Sequence, residues 1–159
     1  MASIGAQFLP ERFAECVDSV KAAEDAGYSH AWFVDSQILW QDCYVYMSHA
    51  LAATERIVIG TAVTNPFTRH VTTTASVYGT LAELHPGRLE LGIGRGDSSV
   101  RTMGMNPVKT TFLRDSIVLR HGRPIPSSRA ASTPSSGEDD LMLHVRQPAV
   151  ARRSPGVYL

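Results

Sequence analysis

The segment RIVIGTAV, residues Arg56 to Val63, decides the fold class of this chain. Its β-branched residues stand at both odd and even positions, so both faces of a strand made from it would be apolar. That pattern is typical of a parallel strand buried on both faces, whereas a half-exposed antiparallel strand alternates apolar and polar residues. We therefore expect the segment to lie inside a parallel sheet.

Strand and helix alternate at a regular pitch on both sides of this segment. Short apolar runs predict strands, and apolar residues at helical spacing follow each of them. The predicted strands are Ile4–Leu9, His30–Val34, Arg56–Val63 and Arg88–Ile93; the predicted helices are one from Phe13 that stops at Gly27, one containing Tyr44, Met47 and Leu51, Val71–Leu84, and Val108–Arg120. This alternation indicates an α/β fold, either a doubly wound sheet or a (β/α)8 barrel, of which four units make half.

The composition changes sharply after His121. Five prolines interrupt a tract rich in Ser and Arg, and its single apolar patch is the short run Leu141 to Val145. Such a tract buries too little apolar surface to offset its chain entropy, and proline lacks the N–H group that a sheet needs. We therefore expect residues 1–121 to form the folded α/β part of the chain and residues 122–159 to be a disordered or frame-shifted tail that adds no strand.

The overall composition excludes some classes of partner. Lys and Arg number 15, and Asp and Glu number 15, so no single-sign field gathers nucleic acid and small molecules are the expected partners. No run approaches the roughly 20 apolar residues that a membrane span needs. Cys16 and Cys43 lack the spacing of a metal site or a disulfide framework, and we expect both to be buried thiols in a cytoplasmic protein.

Parallel α/β folds carry their reactive side chains on loops at the carboxyl ends of the strands. In this chain those loops hold Pro10-Glu11, Asp35-Ser36-Gln37, Thr64 to His70, and Gly94 to Asp97. All four are polar or conformationally special, although surface loops are polar in most proteins. A functional site is therefore expected where these loops meet.

Three positions in these loops allow two interpretations each. The glycines of Gly92-Ile93-Gly94-Arg95-Gly96 would let backbone N–H groups approach a phosphate, or they simply make a tight turn, since their spacing departs from the dinucleotide-binding fingerprint. Asp35 ends the second strand, where it would take part in proton transfer or cap the next helix. His70 would be a base or a phosphate ligand, or it begins the third helix.

Three stretches of the sequence together resemble a known family. They are AEDAGYSHAWFVDSQ (Ala23 to Gln37), IVIGTAVTNPFTRH (Ile57 to His70) and LAELHPGRLELGIGRGDS (Leu81 to Ser98). They are similar to the luciferase-like monooxygenase superfamily, especially to its coenzyme F420-dependent reductases such as methylenetetrahydromethanopterin reductase. The resemblance covers about Ile4 to Arg120, and it implies the N-terminal half of a TIM-type (β/α)8 barrel.

The resemblance also implies a cofactor and a site. The ring system of F420 or FMN would lie against the third strand, where the family has a non-prolyl cis peptide that maps to Ala62-Val63. Asp35 would be the catalytic residue near the reactive edge of the ring. The residues expected to bind the cofactor are Ala62, Val63, Thr64, Asn65, Gly94, Gly96 and Asp97.

The expected function is that of an oxidoreductase that transfers hydride between F420 or FMN and an organic substrate, with oxygen as co-substrate if it is a monooxygenase. The alternative is a non-catalytic half barrel that binds cofactor or a partner chain, or is inert. A Rossmann-type nucleotide binder is disfavoured, because Leu9-Pro10-Glu11 follows the first strand in place of a glycine-rich turn. Unpaired edges on the first and fourth strands predict association into homo-oligomers.

Overall fold

The computed structural model describes residues 3–120 and 143–146. Its elements are, in chain order, β1 (Gly5–Phe8), α1 (Phe13–Asp25), β2 (His30–Phe33), α2 (Cys43–Ala53), β3 (Val58–Thr64), α3 (Val71–Leu84), β4 (Leu89–Ile93), α4 (Asp97–Thr102), α5 (Thr110–Arg120) and β5 (Leu143–Arg146). Every strand and helix predicted before residue 121 is present, and the predicted ends agree with the observed ones to within two residues. No helix in the described part of the chain is long and apolar enough to cross a bilayer.

The first four strands form a parallel sheet in the order β1, β2, β3, β4. Phe8 lies beside Phe33, and Phe33 lies beside Thr61 on the next strand. Helices connect each strand to the next, as right-handed crossovers require. The α/β prediction of four consecutive βα units is thereby confirmed, and their loops come together at the carboxyl edge of one sheet.

The core lies between the sheet and the helices that cover it. Alternate strand residues point toward the helices. Phe33, Ile59 and Leu91 are buried there, with at most 1% of each residue exposed. Their helix partners in the same apolar cluster include Met47, Ala50, Leu51, Tyr78 and Leu81. Both cysteines are free and buried, as the sequence predicted. This packing fixes the strands and, with them, the loops at their ends.

The turn that leads into β3 is held from two sides. Arg88 donates hydrogen bonds to the carbonyl oxygens of Thr54 and Ile57, at 2.5 and 3.0 Å, and to the Thr54 hydroxyl at 2.6 Å. Burial lowers the pKa of the Arg88 guanidinium, which stays charged, as arginine does in proteins. Glu24 contacts the same turn from α1. The start of β3 therefore has little freedom to slide.

Two features differ from the sequence predictions. Residues 97–102 form α4, because Gly96 adopts the left-handed φ of 84° that starts a helix directly after the loop. Residues 143–146 form β5 and pair antiparallel with β4, so the prediction that residues 122–159 add no strand is wrong at these four positions. The run Leu143-His144-Val145-Arg146 contains no proline, and a strand of four residues at an edge needs only backbone groups to pair. The rest of the predicted tail lies outside the described residues.

Candidate functional site

A cleft of about 340 Å³ opens at the carboxyl edge of the sheet. Its walls come from strands β1 and β3, from the loops that follow β2 and β4, and from the start of α4. The lining residues are Gln7, Val34, Asp35, Ser36, Ala62, Val63, Gly94, Arg95, Gly96, Asp97, Ser98 and Ser99. Six residues predicted from the sequence are therefore brought together here: Asp35, Ala62, Val63, Gly94, Gly96 and Asp97. Two others, Thr64 and Asn65, lie buried beside the cleft and do not line it.

The wall formed by β3 and the segment after β4 is irregular, and Gly94, the first residue after β4, allows the two to approach closely. The register between the two strands shifts between Thr61 and Thr64, and the peptide bond between Ala62 and Val63 is cis, as the family resemblance implied. A Cβ atom added at Gly94 would lie 2.9 Å from a methyl group of Val63. The glycine keeps β4 close enough for its N–H to donate to the carbonyl of Thr64 at 2.8 Å.

Gly96 and Asn65 shape the next part of the wall. A Cβ atom at Gly96 would lie 2.9 Å from Cγ of Asn65. The Asn65 amide donates to the hydroxyl of Ser99 at 3.1 Å, and its oxygen accepts from the backbone N–H groups of Phe67 and Thr68. The side chain of Asn65 thus holds two loops together. Close packing against the side chains of Val63 and Asn65 accounts for both glycines, whichever molecule the cleft binds.

Asp35 is the second residue after β2, and 4% of its surface is exposed. One carboxylate oxygen, Oδ2, accepts from the hydroxyl of Thr64, and the other, Oδ1, accepts from the amide of Gln37, both at 2.6 Å. The interpretation of Asp35 as a helix cap is wrong, because α2 begins eight residues later and Asp42 caps it by accepting from the N–H of Tyr44. Asp35 is therefore available to the cleft.

The surroundings of Asp35 raise its pKa. Burial is the largest cause, and the negative charge of Asp42 adds to it. The hydroxyl of Thr64 and the positive charge of Arg69 oppose this rise without cancelling it. A carboxyl group with a raised pKa is suited to carry a proton at a pH where an exposed carboxyl group would have lost it.

Arg69 supplies the positive charge nearest to this carboxylate. Its guanidinium pairs with Asp42 and lies 4.5 Å from the centroid of the Tyr44 ring. Burial alone would lower the pKa of Arg69, and the carboxylate of Asp42 outweighs that effect and raises it. Arg69 and Asp42 therefore stay charged as a pair beside the site.

Other residues also have clear positions in the structure. His70 begins α3 and accepts from the N–H of Thr72, so the interpretation of this residue as a helix start is confirmed. Sequence reasoning missed Tyr44, whose hydroxyl reaches Thr64, and Gln7, which lines the cleft. The period of two along β1 and β2 was the available signal for Gln7, because its register partner Trp32 lies on the sheet face opposite Phe33.

Comparison with known proteins gives a consistent family. The profile described as "Luciferase-like monooxygenase" matches residues 2–114. A 5,10-methylenetetrahydromethanopterin reductase from Methanopyrus kandleri is 36% identical over 101 residues, which is 61% of this chain and 28% of that protein. An F420-dependent hydroxymycolic acid dehydrogenase from Mycobacterium tuberculosis is 37% identical over 99 residues, 57% of this chain and 27% of that protein. The chain thus spans less than a third of the length of these two relatives.

Solved structures agree with the sequence match. The coenzyme F420 dependent tetrahydromethanopterin reductase from Methanopyrus kandleri superposes with a TM-score of 0.61 at 33% identity, over 65% of this chain and 30% of that one. The oxygenating constituent of 3,6-diketocamphane monooxygenase from Pseudomonas putida, in complex with FMN, has a TM-score of 0.63 at 19% identity, over 76% of this chain and 39% of that one, and this likeness shows the fold alone. Because the family profile covers well over half of the sequence, the chain belongs to the luciferase-like monooxygenase family.

Proposed function

We propose that this chain binds the ring system of coenzyme F420 or FMN in the cleft and belongs to an oxidoreductase that moves hydride between that cofactor and a small organic molecule. The observation that carries the proposal is the convergence of separate segments on one cleft. Asp35, the pair Ala62-Val63 and the loop Gly94 to Asp97 are distant in sequence and line the same space. This is the edge of a parallel sheet where ligands bind.

The residues of the cleft fit a flat, partly polar ring system. The volume of about 340 Å³ falls in the range of small-molecule sites, roughly 300–1,000 Å³. Val34, Ala62 and Val63 offer apolar surface, and Gly94 presents backbone without a side chain. Arg95 and Asp97 place charge at the same opening. The cofactor would supply the hydride chemistry, and the protein would hold and orient it.

In this proposal Asp35 is the catalytic residue. It lies at the cleft, it is buried, and burial raises its pKa, which are the properties of a group that gives or takes a proton during a reaction. Hydride transfer to a carbonyl or imine carbon is balanced by a proton, and Asp35 would provide or receive it. Thr64 and Asn65 would support the wall from behind and not touch the ring directly.

The relatives favour F420 over FMN as the first cofactor to test. The dehydrogenase and the reductase named above differ in substrate, yet the names of both the dehydrogenase and the solved reductase include F420. A cofactor common to relatives with different substrates is the better guide to this chain. The substrate itself is proposed only as a small organic molecule.

We further propose a reducing compartment, the cytoplasm, as the location of the protein. Cys16 and Cys43 are both free thiols, and both are buried. Proteins with unpaired cysteines of this kind are typical of compartments that keep thiols reduced.

The test is a binding titration of the purified chain with oxidised F420 and, separately, with FMN, followed by the fluorescence of the ring. Gly94→Val would place a branched side chain against Val63 at the cleft wall and is expected to abolish binding, whereas Gly79→Ala, in open space on α3, is the control, and thermal melting establishes that both variants are folded. Binding of one cofactor that Gly94→Val removes and Gly79→Ala preserves supports the proposal. Absence of binding, or equal binding by both variants, contradicts it.

A second measurement separates an enzyme from a binding module. Reoxidation of the reduced cofactor by the chain is followed with a panel of carbonyl and imine acceptors and with oxygen. Turnover above that of free cofactor supports an oxidoreductase. Tight binding without any turnover would favour the non-catalytic alternative.

A further inference from the structure

A chain of three hydrogen-bonding groups leads from α2 to the cleft. The hydroxyl of Tyr44 donates to the hydroxyl oxygen of Thr64 at 2.9 Å, and Thr64 in turn donates to Oδ2 of Asp35 at 2.6 Å. Tyr44 is 5% exposed and Thr64 is fully buried. Both bonds are therefore shielded from solvent, and neither donor can turn to water instead.

The direction of these two hydrogen bonds affects where Asp35 can be protonated. A threonine hydroxyl has one proton, and here that proton points to Oδ2. If Oδ2 became protonated, Thr64 would have to accept from it, and the threonine proton would either have no acceptor or turn toward the phenol oxygen of Tyr44. In the first case a buried hydroxyl proton loses its partner, and in the second Tyr44 loses the acceptor that the structure gives it. The buried phenol of Tyr44 thus opposes protonation at Oδ2.

The other carboxylate oxygen has a partner that works in both directions. Oδ1 of Asp35 accepts from the amide nitrogen of Gln37 at 2.6 Å. The amide oxygen of Gln37 is buried and has no hydrogen-bond partner. A half turn of the amide would present that oxygen to Oδ1, so Gln37 can donate to the carboxylate and accept from the carboxylic acid. A proton on Oδ1 therefore has a ready acceptor.

The charged and titratable groups around Asp35 do not remove this difference between Oδ2, which meets Thr64, and Oδ1, which meets Gln37. Asp42 and Arg69 form an ion pair, and the Cys43 thiol and the Tyr44 phenol both have pKa values raised chiefly by burial. The phenol therefore keeps its proton throughout the working pH range and remains a donor. The Cys43 thiol also hydrogen-bonds to the Asp35 carboxylate, and the amide of Gln37 remains the partner of Oδ1 at 2.6 Å.

We propose that Tyr44 is a positioning residue that acts through Thr64 to keep Oδ2 of Asp35 as an acceptor, so that Asp35 gains and loses its proton at Oδ1, beside Gln37. The inference rests on the proposed function for the use of that proton in a reaction. The position of the proton on Asp35 is a property of the protein without cofactor. It can therefore be measured even if no cofactor binds.

The experiment is a pH titration of the ligand-free chain by infrared spectroscopy, with carboxyl-labelled aspartate and with Asp35→Asn to assign the bands. Tyr44→Phe and Thr64→Val are expected to raise the pKa of Asp35, and Thr64→Ser, which keeps a hydroxyl group, is expected to restore it. Tyr46→Phe is the matched control, since Tyr46 lies on the same helix, is equally buried and donates to Gln41 instead. An unchanged pKa in Tyr44→Phe, or an equal shift in Tyr46→Phe, would overturn the proposal.

The carbonyl band of protonated Asp35 distinguishes the two oxygens. If the proton is on Oδ1, the C=O oxygen is Oδ2, which accepts from Thr64, and Thr64→Val shifts the band to higher wavenumber while Gln37→Met does not. The opposite pattern would place the proton on Oδ2 and contradict the proposal. Failure of the cofactor titration, by contrast, would count against the proposed function and leave these bands as they are.

Discussion

The N–H group of Ile57 donates to the carboxylate of Glu24 at 2.8 Å, across 33 residues of sequence. The same carboxylate accepts from the N–H groups of the two preceding residues, Arg56 at 2.6 Å and Glu55 at 3.1 Å. A single side chain on α1 therefore satisfies three consecutive backbone donors at the entrance to β3. This contact fixes the position of the start of β3. Ala62 and Val63, which line the cleft, lie on the same strand.

Glu24→Ala is expected to lower the free energy of unfolding by roughly 2–3 kcal/mol, because it leaves three backbone donors without their charged acceptor. Chemical denaturation of the purified chain measures the loss. Glu15→Ala on the same helix is the control, since Glu15 is 70% exposed in its side chain and substitution there should stay within about 0.5 kcal/mol. Equal losses in the two variants would show that the carboxylate of Glu24 is not the cause.

The contribution of Glu24 should also depend on pH. Burial by itself would raise the pKa of Glu24, but the three backbone N–H groups outweigh burial and the pKa is lowered. The stabilisation is therefore fully present above the unfolded pKa of about 4.3 and is lost as the pH falls through the lower folded value. The difference in stability between the wild type and Glu24→Ala should shrink below about pH 4. A difference that grew in acid would contradict this sign.

Asp35→Asn is expected to reduce turnover by about 10²- to 10⁴-fold, the usual contribution of a general acid or base, and to change stability little. The oxygen of the new amide can still accept from Thr64, and Gln37 can turn its own amide to accept from the new NH2 group. Steady-state kinetics and thermal melting are measured on the same preparation, either of this chain or of a longer relative with the same segment. A fall in melting temperature with unchanged turnover would assign Asp35 a structural role instead.

Gly92→Ala is expected to destabilise the chain by roughly 2–3 kcal/mol, as overpacking in a core does. The added Cβ would overlap the backbone oxygen of Thr61, which cannot move without disturbing the strand that carries Ala62 and Val63. Gly79→Ala is the matched comparison, because it adds the same methyl group in open space on α3 and should stabilise by roughly 0.5–1 kcal/mol. Urea denaturation of both variants tests the sign of each change.

The outer edge of β1 is expected to drive association of the chain. Ile4 and Phe8 direct their carbonyl groups to β2, so the alternate residues Gly5 and Gln7 direct backbone groups outward. Gln7→Pro removes an outward N–H group and should shift the chain toward a monomer. Size-exclusion chromatography with light scattering measures this, and a wild-type chain that is already monomeric at high concentration would refute it.

The fold was largely predictable because its signals are local. The helix Val71–Leu84 was predicted with its observed ends, since His70 begins it and the turn His85-Pro86-Gly87 stops it. The strands follow from runs of β-branched and apolar residues, a pattern that each segment shows by itself. The predicted starts of β4 and α5 come one and two residues too early, a difference that is usual at the ends of elements.

Several of the residues that line the cleft were predictable from the sequence, but the directions of their side chains were not. The family motifs placed Asp35, Val63 and Gly94 at one edge, and the structure brings them into one cleft. The bond from the Phe67 N–H to Asn65 follows the usual turn pattern of an Asn-Pro pair, whereas no sequence signal reveals the bond from Asn65 to Ser99, because it depends on tertiary packing. The same applies to the cap of α2, where the length of the loop after β2 moved the role from Asp35 to Asp42.

The antiparallel position of β5 limits what can be added to this sheet. Gly92 and Ile93 of β4 have His144 and Leu143 as their register partners on that side. A further parallel strand beside β4 needs the same backbone N–H and C=O groups, so the two arrangements are mutually exclusive. Residues 143–146 thus act as a competitor for the open edge: any strand that extends the parallel sheet past β4, from this chain or from another, must first displace them.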